Sequence, residues 1–100
     1  MKISVVVCVR NEEKRIYDCL KSIYLNNPAE VILVDGNSTD TTLQIANGFE
    51  NIKIIQSKNS NLTLDRQIGI DACINDFIAM IDADHRLKEG DLIALYNDCL

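Results

Sequence analysis

Four short apolar runs, rich in β-branched residues, alternate with segments of helical periodicity along the chain. The runs lie at residues 3–9, 31–34, 52–55 and 77–81. Apolar runs of this length, here interrupted only by Ser4 and Lys53, are typical of strands that are buried on both faces. Apolar residues at helical spacing after each run predict four helices. These residues are Ile16, Leu20, Ile23 and Tyr24; Leu43 and Ala46; Leu64, Ile68 and Ala72; and Leu92, Leu95 and Cys99.

The order β-α-β-α-β-α-β-α predicts an α/β fold, a Rossmann-like parallel sheet with helices on both faces and four β-α units. Asn11 is predicted to cap the first helix, with acidic residues in its first turn, and Asp40 to cap the second. The 100 residues are expected to form a single domain, residues 1–100. Because the sheet would end beside a central strand, we expect this domain to be the N-terminal part of a longer, truncated one.

The charges and cysteines exclude several classes of protein. Ten Lys and Arg against fifteen Asp and Glu give a net charge of −5, whereas nucleic-acid surfaces need clustered cations. No apolar run approaches the ~20 residues of a membrane span, and no signal peptide is present, so a cytoplasmic location is expected. The four cysteines form no CxxC pair and His85 is the only histidine, which makes a zinc site improbable and reduced thiols expected.

Polar residues gather where the predicted strands end. Arg10 and Asn11 follow the first strand, Asp35 ends the second, and Asp82 and Asp84 follow the fourth. Ligands of open α/β sheets bind beyond the carboxyl ends of the strands. Two carboxylates spaced i, i+2 can hold one hard cation, Mg²⁺ or Mn²⁺, which in turn can neutralise a pyrophosphate. The sequence therefore predicts a metal-linked phosphate site at this edge.

Other nucleotide-binding classes fit less well. A dinucleotide-binding unit needs GxGxxG after the first strand, and neither that pattern nor a P-loop is present. Aspartyl-phosphate enzymes and receiver domains need their acidic residues after the first strand, whereas the acids of this edge follow the second and fourth strands. His85 has two open interpretations, a further metal or phosphate contact and an exposed loop residue.

Three segments together resemble family 2 glycosyltransferases of the GT-A fold: SVVVCVRNEE at 4–13, VDGNSTD at 34–40 and IAMIDAD at 78–84. The resemblance covers nearly the whole chain. It implies an enzyme that moves a sugar from a nucleotide-diphosphate donor, UDP-linked, to a glycan or lipid-linked acceptor. It also implies dependence on Mn²⁺ or Mg²⁺ and inversion of the anomeric centre.

The resemblance assigns roles to four donor-site residues. Asp35 corresponds to the acid that hydrogen-bonds the nucleotide base, and Asp82 to the acid near the ribose. Asp84 corresponds to the second acid of the DxD motif, which ligates the metal at the pyrophosphate. Arg66, in DRQIG at 65–69, resembles the Arg of the family's A-R-N-x-G segment, which lies over the nucleotide.

Three residues after the first strand complete the implied substrate-binding set. Asn11 and Glu12 correspond to the family's N-E pair, and Arg10 replaces an aromatic residue that packs on the base. A guanidinium can also stack on a base. The family's catalytic base lies in the second half of the domain and no residue here corresponds to it, so this chain is expected to carry the donor half of the site, bind nucleotide weakly and transfer sugar poorly.

Two alternatives from other classes stay open, a nucleotidyltransferase and a non-catalytic nucleotide-binding or assembly module of the same fold. A glycine-rich first loop would favour the nucleotidyltransferase, and loss of metal binding would favour the module. Residues 11–13 and 19–23 are similar to members that build cell-envelope glycans. That similarity implies a cytoplasmic enzyme at the inner face of the membrane.

Overall fold

The computed structural model describes residues 2–58 and 61–99, in which strands and helices alternate in the predicted order. The strands are β1 (Ile3–Val9), β2 (Glu30–Asp35), β3 (Ile52–Gln56) and β4 (Phe77–Met80). The helices are α1 (Ile16–Tyr24), α2 (Thr42–Ala46), α3 (Leu62–Ala72) and α4 (Asp91–Asp98). Within the described ranges, no helix is long and apolar enough to cross a membrane.

All four strands are parallel and lie in the order β3-β2-β1-β4. The chain moves outward from β1 to β3 and then returns to the other side of β1 with β4. Val9 pairs with Asp35 on one side of β1, and Val6 pairs with Met80 on the other. The strand order therefore reverses between β1 and β4, which is where open α/β sheets bind ligands. The predicted α/β fold is confirmed.

Helices cover both faces of the sheet because successive side chains of a strand point to opposite faces. Val5 and Val7 of β1 pack in one cluster with Ile16 and Leu20 of α1, and residues of α2 and α4 join this cluster. Val6 packs on the opposite face, where α3 lies. The first cluster holds most of the buried apolar residues and forms the main core.

The first helix begins later than the sequence predicts. α1 starts at Ile16, with Arg15 as its N-cap, so Asn11 is not a helix cap. Asn11 instead adopts a left-handed backbone with φ 53°, a conformation that Asn tolerates better than most residues. That turn sends residues 11–15 across the sheet edge before α1 starts.

Two helices match their predicted faces only in part: Ile68 and Ala72 of α3 and Leu92 of α4 pack in the core as predicted, whereas three other predicted residues are exposed. Leu64 of α3 is 49% exposed and Leu95 of α4 is 43% exposed, and Cys99 is exposed as well. In α4 the buried Leu92 and the partly buried Tyr96, one turn apart, contact the core instead. A helix with several apolar positions can present more than one stripe, and packing against the sheet selects among them.

Candidate functional site

Two loops at the carboxyl ends of β1 and β2 are joined by hydrogen bonds. The Asn11 amide donates to Ser38 Oγ at 2.9 Å, and the Thr39 amide donates to Asn11 Oδ1 at 2.8 Å. One residue further, the Glu12 amide donates to Thr42 Oγ1 at 2.9 Å. Asn11, predicted to contact substrate, therefore uses its side-chain carbonyl to position the neighbouring loop.

Asp35, the last residue of β2, is fully buried. Its Oδ2 accepts from the Ser38 amide at 3.0 Å, and its Oδ1 accepts from the Ser38 hydroxyl. The carboxylate thus closes a tight turn over residues 35–38, with Asn37 left-handed at φ 67°. Because Gly36 donates its amide to Val9 O at 2.8 Å, this turn lies directly beside the end of β1.

The residues after β4 form an acidic cluster. Oxygens of Asp82 and Asp84 and a ring nitrogen of His85 all lie within 4.8 Å of one another, and all three residues are exposed. The loop is held by its own backbone, since the His85 amide donates to Asp82 O at 2.9 Å, and by Arg86 Nη1, which donates to Ala83 O at 3.1 Å. Two carboxylates and an imidazole at this spacing suit Mg²⁺ or Mn²⁺.

A cleft of about 230 Å³ connects this cluster to β1. Arg10, Glu12, Asp82 and Asp84, four of the predicted site residues, line it together. Glu12 Oε1 lies 2.8 Å from Arg15 Nη2 in an ion pair. The structure therefore brings these predicted residues to one place on the surface.

Arg66, also predicted, approaches the cluster from α3. Its Nη2 lies 4.0 Å from Asp82 Oδ1, and both side chains are substantially exposed. An exposed pair at this distance contributes little to stability. The guanidinium is therefore available to an anionic ligand.

A second cleft of about 250 Å³ continues from the first, sharing Cys8, Arg10 and Leu62 with it. Gly36 and Asp65 line its far end. Asp65 is not among the residues predicted from the sequence, yet it is only 4% exposed. Burial, followed by the nearby Asp65 charge, raises the pKa of Cys8 to about 11, so Cys8 is a neutral thiol at pH 7.

The opposite edge of the sheet has a cleft of similar size, about 250 Å³, with a different lining. It lies at the amino ends of the strands, near Tyr24, Pro28 and Glu30. No His or carboxylate cluster able to hold a metal lies there among residues 2–58 and 61–99. The carboxyl edge is therefore the candidate site.

The chain resembles known proteins over nearly its whole length. A glycosyltransferase of Rickettsia typhi, RT0209, is 35% identical over 88 residues, which are 88% of this chain and 30% of that protein. Residues 1–349 of TarS from S. aureus, solved with UDP-GlcNAc, are 28% identical with a TM-score of 0.87, over 97% of this chain and 30% of that one.

A mannosyltransferase from Pyrobaculum calidifontis, solved with GDP-Man and Mn²⁺, shares the fold at 21% identity, with a TM-score of 0.80 over 93% of this chain and 30% of that one. The chain thus spans about 30% of the length of the Rickettsia relative and of each of these two solved chains. The family model for glycosyl transferase family 2 matches residues 4–98. The chain belongs to the family 2 glycosyltransferases.

Proposed function

We propose that this chain binds the nucleotide-diphosphate sugar, UDP-linked, of an inverting glycosyltransferase, and that residues 1–100 form the donor half of its site. The observation that carries the proposal is the pair of adjoining clefts, one lined by Asp84 and the other by Asp65, at the point where strand order reverses. The UDP-GlcNAc bound by TarS supports a UDP-linked donor here.

Asp84, with Asp82 and His85, would hold the divalent cation. The two carboxylates are hard donors and line the cleft, so they fit Mn²⁺ or Mg²⁺. When bound, such a cation neutralises the diphosphate and makes it a better leaving group. Arg66, 4.0 Å from Asp82, would pair with the remaining phosphate charge.

The other predicted residues have positioning or binding roles in this proposal. Arg10 lines both clefts and presents a planar cation to the base. Asn11 and Asp35 hold the loops that shape the base end, and the assignment of Asp35 as a base contact stays a proposal. Glu12 lines the phosphate end, where its carboxylate is held by Arg15.

In the acceptor half of the reaction, a carboxylate base removes the proton of the acceptor hydroxyl as the sugar is displaced. No residue of this chain is assigned that role. The acceptor is proposed to be a glycan or a lipid-linked glycan of the cell envelope, and the enzyme to act in the cytoplasm at the inner face of the membrane.

Calorimetric titration of UDP and of GDP, with and without Mn²⁺, tests the donor site. We expect Mn²⁺-dependent binding of UDP that Asp84→Asn reduces at least tenfold, since one charged ligand is lost. Asp98→Asn, which removes the same charge from an exposed position on α4, is the matched control and should bind like the parent chain. Absence of UDP binding in the folded parent chain would contradict the proposal.

The same titration, extended to UTP, separates the two alternatives. A nucleotidyltransferase should prefer a nucleoside triphosphate to UDP, and a non-catalytic module should bind without regard to Mn²⁺. The acidic cluster on the cleft favours metal-dependent binding over the non-catalytic module, and the absence of a glycine-rich first loop argues against the nucleotidyltransferase.

A further inference from the structure

Asp65 is a buried carboxylate with an unpaired oxygen. The residue is 4% exposed, and its Oδ1 has no hydrogen-bond partner among the described residues. Buried polar atoms almost always have partners, because an unpaired one forfeits its hydration without compensation. An acceptor left open in this way indicates a donor that arrives with a ligand.

The position of Asp65 shows where that ligand would lie. Asp65 lines the second cleft together with Cys8, Arg10 and Gly36. A Cβ on Gly36 would lie 3.1 Å from Asp65 Oδ2, so the carboxylate rests directly against this loop. The other oxygen, Oδ1, is the one without a partner. Rotation about χ2, a soft torsion in Asp, can turn that oxygen toward the cleft.

The order of groups along the cleft then identifies the donor. The acidic cluster at one end takes the diphosphate, so ribose and base extend toward the other end, where Asp65 lies. Both oxygens of Asp35 already accept from Ser38, and Asp35 is fully buried. Asp65 is therefore the acid at this end with an oxygen that has no partner among the described residues.

We propose that Asp65 is a specificity-determining residue that accepts the ring N3–H of the donor's uracil, with the Arg10 guanidinium on the face of the base. This inference rests on the proposed donor site. An ionised carboxylate only accepts hydrogen bonds, so a base whose ring nitrogen is methylated loses the bond and leaves the buried charge unpaired. Loss of a bond to a charged group weakens binding by about 10- to 100-fold.

The test compares UDP with 3-methyl-UDP and 2′-deoxy-UDP in the presence of Mn²⁺, by calorimetry. The parent chain should bind 3-methyl-UDP at least tenfold more weakly than UDP. Asp65→Ala should bind UDP at least tenfold more weakly and should no longer distinguish UDP from 3-methyl-UDP. Asp71→Ala, which removes an exposed acid from the same helix, should behave like the parent chain.

Three results would overturn the proposal. Full preference of Asp65→Ala for UDP over 3-methyl-UDP would show that another acceptor binds the base. In the second result, the parent chain binds 2′-deoxy-UDP as weakly as it binds 3-methyl-UDP, and Asp65→Ala does not distinguish 2′-deoxy-UDP from UDP. That result would assign Asp65 to the ribose. If the parent chain fails to bind UDP at all, the proposed donor site fails too, so the two failures are distinguishable.

Thermal unfolding tests whether Asp65 has a purely structural role. Removing this buried carboxylate should leave the melting temperature unchanged or raise it, because its Oδ1 has no bond to lose within the described ranges. Should Asp65→Ala not fold, Asp65→Asn keeps the shape and one acceptor oxygen. It should bind UDP more weakly than the parent chain and still prefer UDP to 3-methyl-UDP.

Discussion

Replacing Gly69 with Ala would test how closely α3 must approach the sheet. A Cβ at this position would lie 2.4 Å from Val6 Cγ1 and 3.2 Å from Val34 Cγ2. Val6 is fully buried in β1, so its methyl group has no free space to enter and the helix or the strand must move. Ordinary carbon contacts lie at about 3.5–4.0 Å, and the first of these contacts is far shorter.

The expected cost follows from two opposing terms. Overpacking a buried site costs about 1–3 kcal/mol, and Ala is favoured over Gly inside a helix by about 1 kcal/mol. Because the overlap with Val6 is severe, we take the upper end of the first term. The free energy of unfolding should fall by about 2 kcal/mol, which lowers the melting temperature of a domain this size by roughly 8–16 °C.

A double-mutant cycle with Val6→Ala isolates this contact. Urea unfolding followed by circular dichroism would give the free energies of the parent chain, each single variant and the pair. Removing the methyl groups of Val6 should relieve the overlap, so the pair should be more stable than the sum of the single changes by at least about 1 kcal/mol. Gly48→Ala, whose Cβ would meet only Ile45 O at 3.3 Å, is the control. Additive effects, or a stabilised Gly69→Ala, would refute the reasoning.

Three further outcomes are expected. Ser38→Ala removes the hydroxyl that donates to Asp35 and accepts from the Asn11 amide, so the free energy of unfolding should fall by about 1–3 kcal/mol in urea titrations. Burial raises the pKa of the Cys8 thiol from 9.0 to about 11, so the unfolded chain loses this proton at lower pH than the folded chain does. The free energy of unfolding should therefore decline between those pH values, and it should decline less in Cys8→Ala. In timed alkylation read by mass spectrometry, exposed Cys99 should react before Cys8, and UDP with Mg²⁺ should slow Cys8 further, because Cys8 lines both clefts.

The architecture follows from local patterns in the sequence. An apolar run such as residues 3–9, interrupted only by Ser4, forms a buried parallel strand, and the alternation with helices allows few other sheets. The ends of β1, β2 and β4 were predictable for the same reason, and with them the positions of Asp35, Asp82 and Asp84 at one edge. These inferences need only the order of elements along the chain.

Which apolar residues of a helix are buried, and how the loops are shaped, depend on contacts that the local pattern does not contain. Leu64 and Leu95 fit an apolar stripe as well as their buried neighbours do, and only packing against the sheet exposes them. Asn11 fits an N-cap, yet its partners are Ser38 and Thr39 on a different loop. Bonds between residues nearly thirty positions apart leave no periodic signal.

Asp65 was missed because an acidic residue in a polar helical segment looks exposed. Its spacing to Ile68 and Gly69, three and four residues on, places all three on one helix face, and that spacing was the available signal. The segment it belongs to also carries Ala in the family pattern A-R-N-x-G. An acid at that position is a departure from the family pattern.

Amide chemical-shift mapping with UDP and Mg²⁺ on the ¹⁵N-labelled chain tests the donor site most directly. We predict that the largest shifts fall at the carboxyl edge of the sheet, at Arg10, Gly36, Arg66 and Ala83. Shifts confined to the cleft at the opposite edge, near Tyr24 and residues 28–31, would contradict the assignment. The absence of any shift at millimolar UDP in the folded chain would contradict it equally.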